Sequence, residues 1–182
     1  PTQKVPNKDA SNKNSSNNFM TKALKLTKQF SDVERLVATK MALDIRYFCP
    51  ENSSTKLGQT EQSGSTRQCL QPVTKLPQAL ADMVTLTGLG SVVLFAENLA
   101  TTKQIIQLTH DLQQAAVQSP SGQPLIISID QEGGRVVRLP HATSFAGNMA
   151  IGATYVDHGV TFATQTSTVI AKELNALGFN NN

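Results

Sequence analysis

Pro124-Leu125-Ile126-Ile127-Ser128-Ile129-Asp130 is the stretch on which the fold turns. Near-continuous β-branched residues between two helix-forming segments indicate a strand of a parallel sheet, covered on its outer face by helices. The two-residue period of a strand puts Leu125, Ile127 and Ile129 on one face. That wholly apolar face suits a helix layer. The opposite face carries Ile126, Ser128 and Asp130, and suits a barrel interior that opens to solvent at its top. Asp130 therefore ends a buried parallel strand, where active sites are built in both barrels and open α/β sheets.

Upstream, Ser31-Asp32-Val33-Glu34 has the pattern of a capping box and opens a short helix. Residues 41–48 then alternate as a first strand, with Leu43, Ile45 and Tyr47 on one face and Ala42, Asp44, Arg46 and Phe48 on the other. Asp44 and Arg46 are expected to form an interior ion pair with a supporting role. After a polar insertion at 50–71 the spacing predicts a helix over 77–86. The turn Gly88-Leu89-Gly90 then leads into a second strand over 91–96. Its glycines precede a strand, whereas a phosphate cradle joins a strand to a helix, so a plain αβ turn is expected. Thr101 or Thr102 caps a helix whose Ile105, Leu108, Leu112, Ala115 and Ala116 recur at helical spacing.

Downstream of Asp130, a loop from 131 to about 157 precedes a helix over 159–177. Phe162, Thr166, Val169, Ile170, Leu174 and Leu177 form its apolar stripe, and Gly178 ends it. Phe179 opens a fourth strand. The alternation is that of an α/β fold of about three βα units with parallel strands and right-handed crossovers. By itself it leaves a TIM-like barrel and an open doubly wound sheet both standing.

The chain's 182 residues are 39% apolar and 16% charged, enough for one domain with a sizeable core. Its net charge of +3 is unevenly placed. Residues 1–30 hold six lysines and one aspartate, a charge of +5, so the other 152 residues carry −2. Residues 1–30 thus read as a disordered basic tail or linker, followed by one domain over 31–182. A slightly acidic body with no Trp and two Tyr offers no nucleic-acid footprint. No run approaches the roughly 18 apolar residues of a membrane span, and residues 1–18 have no apolar leader core. Cys49 and Cys69 flank the insertion without metal-ligand spacing or a neighbouring histidine, so no metal is expected. A disulfide between them is favoured over two unrelated thiols. It would stabilise the loop by about 3 kcal/mol and would require an oxidising compartment, periplasmic or secreted.

The chemistry concentrates in IDQEGGRVVRL (residues 129–139). Asp130 and Glu132 are hydrogen-bond acceptors, while Arg135 and Arg138 are fixed forks of donors. A carboxylate beside a guanidinium can serve two neighbouring hydroxyls, as a sugar ring requires. Alternatively, the four charges pair with one another and only hold the loop. This motif resembles the DQEGGRV signature of family 3 glycoside hydrolases of the β-N-acetylhexosaminidase type. GSVVLFAEN (residues 90–98) is similar to the family's second strand, and IAKELNALG (residues 170–178) to the helix before its fourth strand.

The resemblance implies a TIM-like (β/α)8 barrel, of which this chain holds the N-terminal portion. It also implies removal, without cofactor, of terminal β-linked N-acetylglucosamine from chitin- or peptidoglycan-derived saccharides, with an amino-sugar oligosaccharide as partner. It implies that Asp130 binds sugar hydroxyls and Arg138 helps shape the pocket, with Gln131, Glu132 and Arg135 as supporting neighbours. The family's aspartate nucleophile, its histidine acid/base and its K-H-F-P-G-H-G type segment lie beyond the fourth strand and have no counterpart here. His110, in a helix, and His141 and His158, in a loop, are expected to be ordinary surface or capping residues. Glu132, two residues from Asp130, is not expected to complete a catalytic pair with it. The chain ends at Asn180-Asn181-Asn182, so an incomplete barrel is expected, inactive alone and dependent on a second half. The competing readings are a non-catalytic amino-sugar or muropeptide-binding module and a doubly wound domain binding a phosphorylated ligand. Asp130 and Glu132 would repel such a phosphate.

Overall fold

The computed structural model describes residues 30–48 and 71–182. Most of the basic tail, nearly all of the insertion, and both Cys49 and Cys69 lie outside the described residues. The elements in order are α1 (Asp32–Ala38), β1 (Ala42–Asp44), α2 (Gln78–Thr87), β2 (Ser91–Leu94) and a 3-10 turn (Ala96–Asn98). They are followed by α3 (Thr102–Val117), β3 (Ile126–Ile129), α4 (Asn148–Ala153), α5 (Tyr155–His158) and α6 (Thr161–Ala176).

Helix boundaries follow from local chemistry. The Ser31 side chain accepts from the Glu34 amide, and the Glu34 carboxylate accepts from the Ser31 amide at 2.7 Å, closing the capping box. Those bonds, from the Ser31 backbone first and its hydroxyl second, hold the Glu34 carboxyl below its ordinary value. A depressed carboxylate stabilises the fold above its unfolded value, and that contribution is lost as pH falls through the folded one. Ser31→Ala is expected to move the Glu34 titration back upward and to cost about 1 kcal/mol. An unchanged Glu34 carboxyl titration by NMR would rule this out. At the far end of α2, Gly88 takes φ 68° and its amide closes on the Val84 carbonyl, the left-handed helix stop expected there. Thr101 caps α3 by accepting from the Gln104 amide.

The three strands are parallel in the order β1-β2-β3, with Ser91 against Ala42 and Ile126. Asn181 bridges Ser128 in the parallel sense, so the fourth strand begins beside β3. This order separates the two architectures that alternation left open. A doubly wound sheet reverses direction and starts a new strand beside β1, whereas here each strand is added outside its predecessor, as in a barrel. Val92, Leu94, Leu125, Ile127 and Ile129 are buried with Leu80 and Val84 of α2, Leu108 and Leu112 of α3 and Ile170 and Leu174 of α6 in one core. Ile126 on the opposite face is half exposed, as the alternation requires. The helices thus cover one face of the sheet, and the future barrel interior faces the other way.

The strands are shorter than the apolar runs that signalled them, because side chains intercept backbone groups at their ends. Past β1, the Asp44 carboxylate accepts from the Arg46 amide at 2.8 Å and bends the chain. Past β2, the Phe95 amide donates to Asn98 Oδ1 at 2.9 Å. Before β3, the amide and carbonyl of Leu125 are both held by the Gln113 carboxamide.

The stretch expected as loop to about residue 157 contains α4 and α5, and His158 ends α5, with its ring 4.7 Å from that of Phe162. Of the expected α6 stripe only Ile170 and Leu174 are buried. Phe162 and Val169 are exposed.

Candidate functional site

Asp130 follows β3 directly and is exposed, while Gln131 turns inward and is buried. The motif then reverses tightly. Gly133 and Gly134 take φ values of 81° and 56°, which side chains rarely adopt. The Glu132 amide donates to the Val136 carbonyl and the Val136 amide to the Gly133 carbonyl. The turn is pressed against residues 145–147, since a Cβ at Gly134 would lie 2.8 Å from the Gly147 Cα. This reversal brings Arg138 back beside Asp130, with Nη2 3.6 Å from Oδ2. The aspartate side chain is 55% exposed and the arginine 30%, so the carboxylate is open to a ligand while the guanidinium is partly enclosed.

Gln131 holds this geometry from below. Its Oε1 accepts from the amides of Arg138 at 2.8 Å and Leu139 at 3.2 Å. Its own amide donates to Asn182 Oδ1, and its carbonyl accepts from Asn182 Nδ2, so the fourth strand braces the same point. Gln131→Leu would leave two amides unsatisfied, one of them buried, and is expected to cost about 2–3 kcal/mol. A loss under about 1 kcal/mol in urea unfolding would contradict that assignment.

Of the sequence-expected residues, the structure brings Asp130, Gln131 and Arg138 together. Glu132 lines the same cleft as Asp130, whereas Arg135 is exposed on the turn. Among the described residues neither Glu132 nor Arg135 forms an ion pair, so the loop is not the four-charge network that spacing alone allowed. The turn is held by backbone bonds and glycine conformation instead. The cleft measures about 680 Å³ and is lined by Asp130, Glu132, Asn148, Thr166, Ser167 and Asn182, among others. That size lies within the range of small-molecule sites, about 300–1,000 Å³.

The neighbouring strand ends contribute residues that sequence reasoning left unassigned to the site. The expected Asp44–Arg46 pair forms at 2.9 Å beyond β1, and both side chains are partly exposed. Phe95, after β2, has the Arg46 guanidinium 3.7 Å from its ring centroid and that of Arg138 at 5.9 Å. Asn98 is fully buried, and its Nδ2 reaches the carbonyls of Ile45, Arg46 and Val73. Its position at the end of GSVVLFAEN was visible, but its partners, up to 53 residues away, were not.

His110 lies exposed on α3, and His141 lies in an exposed turn, lining a pocket with Leu139 and Glu173. Among the described residues no three His, Cys, Asp or Glu side chains gather to hold a metal, and no helix is long and apolar enough to cross a membrane.

Residues 54–182 match the model of the glycosyl hydrolase family 3 N terminal domain. A β-hexosaminidase A of Pseudoalteromonas piscicida is 46% identical over 150 residues, which cover 81% of this chain and 23% of that protein. Among solved structures, a glycoside hydrolase family 3 β-N-acetylglucosaminidase from a Paenibacillus species superposes with TM-score 0.60 at 28% identity, over 84% of this chain and 24% of that one. A β-N-acetylhexosaminidase from Beutenbergia cavernae, at 22% identity and TM-score 0.53 over 84% and 37% of the two chains, shares the fold. The chain spans about a quarter of the length of the curated relative.

Proposed function

The chain belongs to glycosyl hydrolase family 3, and from that premise we propose that its β3 end is the sugar-binding half of a β-N-acetylhexosaminidase site. The observation that carries this reading is the Asp130–Arg138 pair at the open end of a parallel strand, with the carboxylate facing a cleft and the guanidinium beside it. Asp130 accepts from sugar hydroxyls, and Arg138 donates to a neighbouring hydroxyl or ring oxygen. Charge-assisted bonds of this kind contribute about 1.5–3 kcal/mol each. The substrate class is a terminal β-linked N-acetylglucosamine of a chitin- or peptidoglycan-derived saccharide. The hexosaminidase relatives support the sugar. The cleft beside Asp130, where Glu132, Asn148 and Ser167 stand among apolar residues such as Ile151 and Ile170, supports its capture.

In this reading the 182 residues bind but do not cleave, because the nucleophile and acid/base of the resemblance belong to segments beyond the fourth strand. Turnover then requires a polypeptide that supplies them. The polar insertion fits an oxidising compartment with Cys49 and Cys69 bonded. Alkylation without reductant leaves the mass unchanged if they are, and adds label if they are not.

The reading is tested by titrating the chain with N-acetylglucosamine by calorimetry and by assaying a chromogenic N-acetyl-β-glucosaminide. Both are repeated with Asp130→Asn. Saturable binding without turnover is expected, weakened about 10- to 100-fold in the variant. Binding unaffected by Asp130→Asn would remove Asp130 from the site, and turnover by the chain would overturn the division of labour.

A further inference from the structure

Arg138 is the donor half of the proposed sugar clamp, yet its own anchorage is thin. Its ion pair with Asp130 is long, at 3.6 Å, and its buried Nε, like that of Arg46, has no hydrogen-bond partner among the described residues. The neighbouring strand ends hold a second guanidinium that is much better fixed. Arg46 pairs with Asp44 at 2.9 Å, its amide is held by the same carboxylate at 2.8 Å, and its guanidinium lies 3.7 Å from the Phe95 ring centroid. Phe95 is in turn fixed from behind, because its amide is bound by the fully buried Asn98, which also grips the carbonyls of Ile45 and Arg46. The ring therefore has one closely paired guanidinium over it at 3.7 Å and the more weakly paired guanidinium of Arg138 at 5.9 Å from its centroid.

We infer that Arg46 and Phe95 are positioning residues for Arg138. The anchored guanidinium fixes the aromatic ring, and the ring's electron-rich π system together with Asp130 fixes the orientation of Arg138 towards the sugar. The two cations tolerate one another near one ring because each has its own carboxylate, Asp44 for Arg46 and Asp130 for Arg138. The strand order makes this possible. Strand ends about 4.8 Å apart bring side chains from β1, β2 and β3 into one contiguous row across the top of the sheet. The inference rests on the sugar-site reading for its consequence, but its geometry can be tested without sugar.

The test uses the whole chain labelled with ¹⁵N-arginine. The Arg138 Nε–H resonance is assigned by its disappearance in Arg138→Lys, and N-acetylglucosamine binding is followed by calorimetry. Arg46→Ala and Phe95→Leu are expected to shift and broaden the Arg138 signal while leaving the thermal midpoint within a few degrees of the parent. They are expected to weaken sugar binding about tenfold. Arg46→Lys, which keeps the cation near the ring and the pairing with Asp44, is expected to restore most of both effects. An Arg138 signal unmoved by Arg46→Ala and Phe95→Leu overturns the inference, even where sugar binding falls, since Arg46 would then act on the sugar directly. A signal that moves as expected in a chain that binds no sugar supports the positioning and sinks the sugar-site reading instead.

Discussion

Asn98→Ala is expected to lower stability by about 3–5 kcal/mol and the thermal midpoint by about 10 °C or more. The side chain is fully buried and makes four contacts with backbone. Its oxygen accepts from the Phe95 amide at 2.9 Å, and its nitrogen reaches the carbonyls of Ile45, Arg46 and Val73 at 3.3, 3.3 and 3.0 Å. Three separate stretches of chain therefore meet on one carboxamide: the exit of β1, the entry to α2 and the exit of β2. Alanine removes the partner of the part-buried Phe95 amide and the buried bonds to the Ile45 and Val73 carbonyls, while the Arg46 carbonyl still accepts from the Val73 amide. Asn98→Asp is expected to be at least as damaging at neutral pH, because a carboxylate oxygen would face carbonyl oxygens in place of the NH₂ group. A loss below about 1 kcal/mol for the alanine variant in urea unfolding would mean that the three stretches hold one another without it.

Gly178→Ala is expected to cost about 2–4 kcal/mol and to detach the fourth strand selectively. Gly178 takes φ 88°, where an L side chain is strained, and a Cβ there would lie 2.9 Å from the Thr109 Cβ. Thr109 has little room to yield, since it is buried and its hydroxyl bonds the Leu177 carbonyl at 2.7 Å. The residues that follow depend on this corner. The Asn180 carboxamide spans the Ile127 amide and the Leu125 carbonyl, the Asn181 carbonyl accepts from the Ile129 amide, and Asn182 pairs with Gln131. Amide hydrogen exchange should therefore accelerate at Ile127, Ile129 and Gln131 well before it does at Val92 or Leu94. Uniform acceleration across the sheet would show global destabilisation with no hinge at this corner.

Much of the fold was legible because its signals are local. The capping box needs four consecutive residues, and the burial of Ile105, Leu108, Leu112, Ala115 and Ala116 follows from spacing along one helix. The alternation at residues 125–130 assigned faces that the structure reproduces. Alternation alone records only that strands are parallel, so the barrel was legible through the resemblance carried by residues 129–139, and the position of Asn181 beside Ser128 agrees with it. Within the site, Asp130 and Arg138 stood out as charges next to a strand end, but the inward turn of Gln131 did not, since Gln is ordinarily a surface residue. Phe95 read as one more apolar residue of a strand. Its approach to two guanidiniums depends on Arg46 and Arg138, which are distant in sequence and meet Phe95 only because β2 lies between β1 and β3. The short helices α4 and α5 escaped notice because neither has a side-chain cap or a buried stripe.

The strand order also bears on how the polypeptide acquires its shape during synthesis. Among the described residues each strand after β1 lies beside the one made just before it, so each new strand finds its partner already translated. The asparagines follow the same direction: Asn98 reaches back to β1, and Asn180 and Asn182 reach back to β3 and its exit. Emerging at about 5–20 residues per second, the chain can add one βα unit at a time, with each backward-reaching carboxamide acting as a latch on the unit before it.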